Sequence, residues 1–362
     1  MLNIKTQVIK NIDWMLVVVV LVLVSISLSA IYSVDLSKGS TLDYFPTQFI
    51  ALLIGLVAMS VAAFVHVSFY RNSAKLIYIA ALALLVLVLF FGITVRGTTG
   101  WFRLAGFSFQ PAEFAKVALV IFMAWLISRY GRRFDKPQFV VATGLFTLIL
   151  AGLIMLQPDL GSALVLGGVW FGMLFLTGTK KRYIAGLIGI FVVVSIFSWV
   201  FVFKDYQKDR ILTFVDPARD PLGSGYNVMQ SVIAIGSGNF FGRGLGFGSQ
   251  SQLHFLPEAQ TDFIFSVIGE ELGFLGTAVL LILYFIILWR LLRIARQSQD
   301  DFRAYLVLGI LLLFLVQMIV NIGGATGFLP VTGVTLPFVS YGGSSLVINL
   351  LLIGIALSAA RS

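Results

Sequence analysis

The sequence contains no cysteine, and histidine occurs only twice, as His66 and His254. The absence of cysteine excludes a disulfide framework and a thiolate metal site. Two histidines far apart in the chain do not make a histidine-based metal centre, and no serine–histidine nucleophile pair is apparent. Carboxylates and cations are the groups that remain for chemistry.

Charged residues are also scarce, at 11% of the chain, whereas 59% of the residues are hydrophobic. Soluble domains carry roughly a quarter charged residues. The hydrophobic residues form successive runs of about 18 residues or more, a length that crosses a bilayer as a helix. The composition therefore predicts an all-α polytopic membrane protein.

Ten membrane spans are predicted from these runs. They lie near residues 14–33, 46–67, 74–93, 111–128, 138–156, 160–177, 183–203, 262–289, 304–322 and 341–360. No repeat, low-complexity tract or hinge linker divides them, so we expect a single integral membrane domain, residues 1–362. A large extracytoplasmic loop, about 204–261, is expected between spans seven and eight.

Basic residues are concentrated in the short loops on the side of the N-terminus. Positive charge in short loops marks the cytoplasmic side, so both termini are expected in the cytoplasm, with the chain in the cytoplasmic (inner) membrane. The first span follows a basic lead, but its apolar core of about 20 residues is long for a secretory signal. It is predicted to remain as an anchor.

Polar residues gather instead in the segments that are predicted to face outward. These segments are residues 96–116, 157–162, 204–261 and 324–345. The third is too long to be an idle connection in a compact protein. Function is therefore expected on the outer face.

Two outward segments place a proline and an acid at the start of a span, in Gln110-Pro111-Ala112-Glu113 and Gln157-Pro158-Asp159. Proline is favoured in the first helical turn, and an acid there meets the positive end of the helix dipole. Asp262 opens the eighth predicted span in a related way. Each acid is either a helix cap or a functional group, and the sequence leaves both interpretations open.

Two carboxylates, Glu113 and Glu258, have a charged residue at helical spacing. Lys116 lies three residues after Glu113, so the two share a helical face and are expected to pair. The pair is either structural, or Lys116 faces a cavity where it meets an anionic substrate. Glu258 aligns with Asp262 only if the eighth helix extends back that far; otherwise it is a solvated loop acid.

Glu270 and Glu271 follow Asp262 by eight and nine residues, about 12–13 Å deeper in the predicted helix. Acids at that depth have to face protein or water, and we expect them to bond to neighbouring helices. In the preceding loop, the glycine-rich stretch 242–248 either brings backbone N–H groups to a phosphate or permits tight turns. Arg210 belongs to a charged run beside the membrane surface.

The outer face thus offers carboxylates and cations, a combination suited to a general base that acts opposite an anionic leaving group. Nucleoside triphosphates are not expected outside the cytoplasmic membrane, so an activated donor there would be lipid-linked. A group-transfer enzyme that uses a lipid diphosphate fits this face. A transporter needs polar groups in both halves of the membrane, and the inner half holds few.

Five stretches, in this order, resemble the SEDS proteins (shape, elongation, division and sporulation), and in particular the branch that contains RodA. They are GWFRLAGFSFQPAEFAK, QPDLGSAL, DPLGSGYNVMQSVIAIGSG, GRGLGFGSQSQLHFLPEAQTDFIFSVIGEELG and LPFVSYGGSSL. The resemblance covers nearly the whole chain. It implies a ten-span peptidoglycan glycosyltransferase that polymerises lipid II on the outer face, for cell elongation and rod shape.

The resemblance also implies roles for residues. The aspartate that matches Asp262 is regarded as catalytic in the family, so Asp262 would be the general base, with undecaprenyl diphosphate as the leaving group. Beyond the resemblance, we expect Arg210, Lys116 or a divalent cation (Mg²⁺ or Mn²⁺) to offset the charge of that group. Glu258 would lie with Asp262 at the mouth of the substrate cavity. Four positions match motifs linked to activity: Trp101, Glu113, Lys116 and Asp159.

The family acts with a class B penicillin-binding protein, a transpeptidase, so the resemblance implies that partner. Two other functions stay open: a lipid II flippase, and a scaffold that only recruits the transpeptidase. A flippase needs a polar path into the cytoplasmic half of the membrane. A scaffold predicts that Asp262→Asn changes nothing.

Overall fold

The computed structural model describes residues 13–37, 42–95, 97–104, 107–131, 134–202, 208, 212–214, 216 and 223–361. Within these residues, nine helices are long and apolar enough to cross a membrane, and Leu160–Leu176 is a shorter apolar helix. Each of these ten helices coincides with a predicted span. The prediction of an all-α polytopic membrane protein is therefore confirmed, whereas the single domain stays a prediction.

The helices are numbered here in chain order. They are α1 Trp14–Leu36, α2 Tyr44–Phe64, α3 Val67–Phe91, α4 Pro111–Tyr130, α5 Pro137–Met155, α6 Leu160–Leu176, α7 Lys181–Phe197 with a π-helical turn at Ser198–Val202, α8 Ser224–Ser237, α9 Ser249–Gln252, α10 Ile264–Gln297, α11 Asp301–Ala325 and α12 Gly343–Arg361. Helices α8 and α9 belong to the predicted outward loop, and the other ten are the apolar helices.

Helix α4 is the most enclosed helix of the bundle. It packs extensively against both α3 and α11, and nearly all its residues from Pro111 to Ile127 are buried. Ala112, Ala115 and Ala118 are fully buried along it. Small residues let neighbouring helices approach closely, which suits a helix surrounded by others.

A small antiparallel sheet precedes α4 and was not predicted. Its strands are β1 Ile93–Val95, β2 Thr98–Leu104 and β3 Phe107–Phe109, in the order β1-β2-β3. The sequence of β2, TTGWFRL, is rich in the β-branched and aromatic residues that favour strands. Strand β3 ends just before Gln110, the N-cap of α4, so the sheet fixes where the central helix begins.

Helix α10 is broken at Gly273, whose φ and ψ are 67° and −162°. The part after the break, residues 274–297, is about 36 Å long at about 1.5 Å per residue, which is enough to cross a bilayer. The part before it, residues 264–272, contains Glu270 and Glu271. That part is not needed for crossing, so the eighth predicted span combined two structural units.

The segment between α11 and α12 folds back into the bundle, and residues 336–340 are buried. Its carbonyl oxygens accept hydrogen bonds from side chains of three helices. Ser27 Oγ donates to Val339 O at 2.6 Å, Tyr284 OH to Pro337 O at 2.5 Å and Gln48 Nε2 to Ser340 O at 3.3 Å. Irregular backbone is tolerated in such a protein where protein groups satisfy it in this way.

Candidate active site

Glu113 and Lys116 form a buried ion pair near the start of α4. Lys116 Nζ lies 2.8 Å from Glu113 Oε1, and the two side chains are only 3% and 5% exposed. The predicted pairing is confirmed. Neither residue lines the two pockets described below, and Glu113 Oε2 is buried with no hydrogen-bond partner among the described residues. The pair therefore lies beneath the outer surface, inside the bundle.

Asp159 is the N-cap of α6, and its Oδ1 accepts a hydrogen bond from Ser162 N at 2.9 Å. The capping interpretation is thus correct, but Pro158 precedes the cap and is not in the first helical turn, because Asp159 itself occupies the cap position. The second carboxylate oxygen, Oδ2, accepts a hydrogen bond from Gln110 Nε2 at 3.2 Å. Asp159 therefore joins the start of α6 to the start of α4.

Ser344, in the first turn of α12, contacts the same corner of the molecule, the place where α4 and α6 begin. Its Oγ donates to Ser108 O at 2.5 Å and accepts from Gln110 N at 3.2 Å. Trp101 lies on β2, opposite Ile93 of β1, in the sheet that leads into this corner. Parts of three polar outward segments thus meet around Gln110.

Asp262 lies in a turn, because α10 begins only at Ile264 with Phe263 as its N-cap. Hydrogen bonds from distant side chains to the carbonyl oxygens of this turn hold it in place. Ser340 Oγ donates to Thr261 O at 2.6 Å, and Asn321 Nδ2 donates to Asp262 O at 3.1 Å. The prediction that Asp262 opens the helix is therefore wrong by two residues, and the folded-back 336–340 segment holds it in place.

Asp262 lines a small pocket of about 10 Å³ between α11 and the segment that follows it. Asn321, Thr332 and Val334 contribute to the wall of this Asp262 pocket. The start of α6 reaches the same wall, since a Cβ on Gly161 would lie 2.3 Å from Thr332 O. The first turn of α6, which Asp159 caps, and Asp262 therefore both adjoin one short stretch of chain, residues 332–334.

Glu258 does not share a helical face with Asp262. Its φ is 54°, and its Oε2 accepts a hydrogen bond from Thr261 Oγ1 at 3.2 Å within the turn. It lines a different pocket, of about 240 Å³, together with Tyr44 and His254. The helical alternative for Glu258 is wrong, because the chain there turns and does not extend α10 backwards.

Backbone N–H groups of the glycine-rich stretch 242–248 donate hydrogen bonds to carbonyl oxygens of α10. Arg243 N and Gly244 N donate to Glu270 O and Glu271 O at 3.0 and 2.9 Å. These bonds satisfy carbonyls that the break at Gly273 leaves without helical partners. The described geometry favours the tight-turn interpretation over a phosphate cradle.

The carboxylates of Glu270 and Glu271 are fully buried. Glu270 accepts hydrogen bonds from Gln250 N at 2.7 Å and Ser251 N at 3.0 Å, at the start of α9. Glu271 accepts one from Ser33 Oγ of α1 at 2.5 Å. The predicted bond to a neighbouring membrane helix is confirmed for Glu271. Glu270 instead binds the backbone of α9, in the loop that precedes α10.

Arg210 lies outside the described residues. Within the part of the chain that the structure covers, no three histidine, cysteine, aspartate or glutamate side chains lie close enough together to hold a metal ion. Since Mg²⁺ is commonly held by one or two carboxylates together with substrate phosphates, a divalent cation stays a prediction.

Sequence reasoning missed Asn321 and Ser340, which fix the turn that carries Asp262. Asn321 and Gln317 are the polar residues in a largely apolar stretch of α11, LLLFLVQMIVNIGG. A polar side chain inside an apolar span usually faces the protein interior and has a specific partner. That signal was present for Asn321, whereas the roles of Ser340 and Ser344 depend on contacts across the fold.

The chain matches the FtsW/RodA/SpoVE family, described as cell cycle protein, over residues 8–362. It is 40% identical over 359 residues to the probable peptidoglycan glycosyltransferase FtsW of Trichlorobacter lovleyi, covering 96% of this chain and 92% of the relative. A solved structure described as "Structural coordination of polymerization and crosslinking by a peptidoglycan synthase complex" superposes with a TM-score of 0.81 at 36% identity, covering 97% and 98% of the chains. The rod shape determining protein RodA of Thermus thermophilus superposes at 0.73 with 30% identity, covering 97% of each chain.

Proposed function

This chain belongs to the FtsW/RodA/SpoVE (SEDS) family, and on that premise we propose that it is a peptidoglycan glycosyltransferase that polymerises lipid II at the Asp262 pocket. The similarity to RodA supports the RodA branch, and with it a role in cell elongation and rod shape. The enzyme is an integral membrane protein. We place it in the inner membrane, with both termini in the cytoplasm and the pocket outside.

The observation that carries this proposal is the meeting of distant polar segments around one carboxylate. Asp262 lies in a turn held by Ser340 and Asn321, and the start of α6 abuts the same pocket wall through Gly161. A carboxylate on a turn that is held in place, beside a pocket that also holds the polar side chains of Asn321 and Thr332, is suited to general-base catalysis. Lipid-linked substrates reach such a site from the membrane.

In the proposed reaction, the carboxylate of Asp262 accepts the proton of the GlcNAc 4-hydroxyl of the incoming lipid II. The 4-oxygen then attacks the anomeric carbon of the terminal MurNAc of the growing chain. The bond from that carbon to the diphosphate oxygen breaks as the new glycosidic bond forms, with inversion. Undecaprenyl diphosphate leaves with the electron pair.

The remaining candidate residues are assigned to substrate contact or its support: Trp101, Glu113, Lys116, Asp159, Arg210 and Glu258. Lys116 is enclosed with Glu113, so it meets the diphosphate only if the bundle opens at α4. Arg210 belongs to the outward loop and is the other cation in the proposal. A divalent metal ion at the diphosphate stays part of the proposal, and no step is assigned to it.

A class B penicillin-binding protein is the proposed partner. The similar complex couples polymerization to crosslinking, and a transpeptidase that crosslinks the new strands would fill that role for this chain. Coupling the two activities in one assembly keeps the nascent strand close to the second active site, which raises its effective concentration there.

The test compares wild type with Asp262→Asn in a lipid II polymerisation assay, with purified protein and its class B partner. Loss of the base should lower the rate by about 10²- to 10⁴-fold, because asparagine keeps the size of the side chain but does not take the proton. Asp43→Asn is the matched control, because Asp43 is exposed and makes no capping hydrogen bond at the start of α2.

A folded, partner-binding Asp262→Asn protein that makes glycan strands at the wild-type rate would contradict the assignment of the base. Suspicion would then move to Glu113 or Asp159. If neither wild type nor variant makes strands while the partner still binds, the scaffold or flippase function is favoured. Transport of fluorescent lipid II in proteoliposomes separates those two.

A further inference from the structure

Asn321 has a hydrogen-bond arrangement that leaves one atom unused. Its Nδ2 donates to Asp262 O at 3.1 Å and to Val334 O at 2.9 Å. An amide nitrogen has two hydrogens, so both are engaged, and both partners are carbonyls. This fixes which end of the side chain is nitrogen. Oδ1 is therefore a pure acceptor, and it is buried with no partner among the described residues.

Thr332 presents a second unused polar atom, on a residue that lines the same pocket. Its Oγ1 is buried and has no hydrogen-bond partner within the part of the chain that the structure covers. Asn321 and Thr332 both line the Asp262 pocket. Buried polar atoms without partners are uncommon and cost stability, so two of them beside a candidate general base point to a ligand that pairs with them.

The volume of the pocket limits what that ligand group is. At about 10 Å³ it accommodates one water-sized group, such as a single hydroxyl. Oδ1 requires a donor, while the threonine hydroxyl both donates and accepts. A sugar hydroxyl satisfies both atoms at once. Both atoms are sealed from solvent here, but Val331 and Gly333 on either side of Thr332 are exposed, so a small movement of this stretch gives access.

We propose that Asn321 and Thr332 form a hydroxyl-binding subsite for the acceptor sugar, beside Asp262. The 3-hydroxyl of the acceptor GlcNAc donates to Asn321 Oδ1 and accepts from Thr332 Oγ1. The neighbouring 4-hydroxyl then lies against the carboxylate of Asp262. This inference rests on the proposed function and names two residues that position its acceptor. A site built to bond a hydroxyl discriminates strongly against an analogue that lacks it.

The experiment measures the initial rate at which a labelled donor is first extended, because an acceptor that keeps its own diphosphate allows further coupling later. A labelled lipid II whose GlcNAc 4-hydroxyl is capped serves only as donor, and native, 3-deoxy-GlcNAc or 6-deoxy-GlcNAc lipid II serves as acceptor. Wild type, Thr332→Val and Thr332→Ser are compared with the class B partner present. Valine keeps the shape of threonine without its hydroxyl, and serine keeps the hydroxyl. Thr277→Val controls for the loss of a buried hydroxyl elsewhere, since Thr277 Oγ1 bonds within α10.

Wild type should use the 3-deoxy acceptor about tenfold or more less efficiently than the native one, and the 6-deoxy acceptor about equally well. Thr332→Val should fold as stably as wild type, because the hydroxyl it loses has no hydrogen-bond partner among the described residues. Its kcat/KM for the native acceptor should fall about tenfold, which is the value of one hydrogen bond. Its preference for the native over the 3-deoxy acceptor should shrink, and Thr332→Ser should restore both.

Wild-type kinetics of Thr332→Val, with discrimination against the 3-deoxy acceptor unchanged, would overturn the subsite. Discrimination against the 6-deoxy acceptor alone would overturn it as well. Asp262→Asn in the same assay separates this failure from failure of the proposed function. If Asp262→Asn is inactive while Thr332→Val behaves as wild type, only the subsite is wrong. If Asp262→Asn couples normally, the general-base assignment itself fails.

Discussion

At the scale of single residues, the protein places its few charges in defined contacts. Asp159 joins two helix starts, Glu270 orders a loop, and Asp13 binds Arg290 between α1 and α10 at 2.6 Å. In a chain with 11% charged residues, such contacts connect elements that apolar packing alone would leave free to slide. The buried pair of Glu113 and Lys116 is the clearest case, because it lies inside the bundle.

Replacing Lys116 with methionine should destabilise the protein by about 3–5 kcal/mol, because Glu113 would be left as an unpaired buried charge. The double variant Glu113→Leu with Lys116→Met should recover most of that stability, since two apolar groups replace the pair. The midpoint of thermal unfolding in detergent measures both effects.

Activity of the same double variant decides between the two interpretations that the sequence left open. A stable double variant that polymerises lipid II normally would make the pair structural. A stable but inactive double variant would support contact with substrate. A single Lys116→Met variant as stable as wild type would contradict the burial argument itself.

At the scale of elements, the sequence predicted what short-range patterns determine. The ten apolar helices were found with ends within a few residues, except where α3 starts earlier and α10 runs later than expected. Their apolar runs and the proline before α4 are local signals. The break at Gly273 was not predicted, because its cause is a backbone pairing between residues 239–244 and 270–275.

For the candidate site too, the sequence revealed some features and not others. Asp262, Glu113, Lys116 and Asp159 were recognisable because a carboxylate or amine near an apolar span is conspicuous. The contacts that place Asp262 were not, since Ser340 lies 79 positions from Thr261 and Asn321 lies 59 positions from Asp262. Spacing along the chain carries no information on such pairs, which form only when α11 and the folded-back segment pack against the turn.

A substitution at Gly273 tests whether the break in α10 supports the loop that pairs with it. A Cβ there would lie 2.2 Å from Gly242 N and 2.8 Å from Phe240 O, and the positive φ is itself unfavourable for alanine. Gly273→Ala should therefore destabilise the protein by about 1–3 kcal/mol and loosen the 239–244 pairing. Hydrogen exchange of the amides of Arg243 and Gly244 should accelerate, because they bond to α10.

Gly186→Ala in α7 is the matched control, since no atom of the described residues lies within 4 Å of a Cβ at that position. It should leave the exchange of Arg243 and Gly244 unchanged and stabilise α7 slightly, by helix propensity. Protection of these amides in Gly273→Ala equal to that of wild type would show that the loop does not depend on the break.

At the scale of the whole molecule, the fold brings the polar outward segments to one end of the apolar bundle. Helix α12 closes against α2 so tightly that a Cβ on Gly354 would lie 2.3 Å from Met59 O, and the first turn of α12 carries Ser344 to the corner of α4 and α6. The bundle thus acts as a frame that positions short polar stretches. The orientation of this frame in the membrane decides whether the Asp262 pocket meets substrate outside the cell.

The absence of cysteine allows that orientation to be tested directly. Phe328, between α11 and α12, is 82% exposed, and Lys181, at the start of α7, is exposed at what we predict to be the opposite side. Phe328→Cys should react with a membrane-impermeant thiol reagent applied to intact cells or spheroplasts, because the proposed orientation places it outside. Lys181→Cys should react only after the membrane is permeabilised, and the cysteine-free parent supplies the background. Labelling of Lys181→Cys before permeabilisation, with Phe328→Cys protected, would invert the topology and place the Asp262 pocket on the cytoplasmic side, where a polymerase of external glycan strands cannot work.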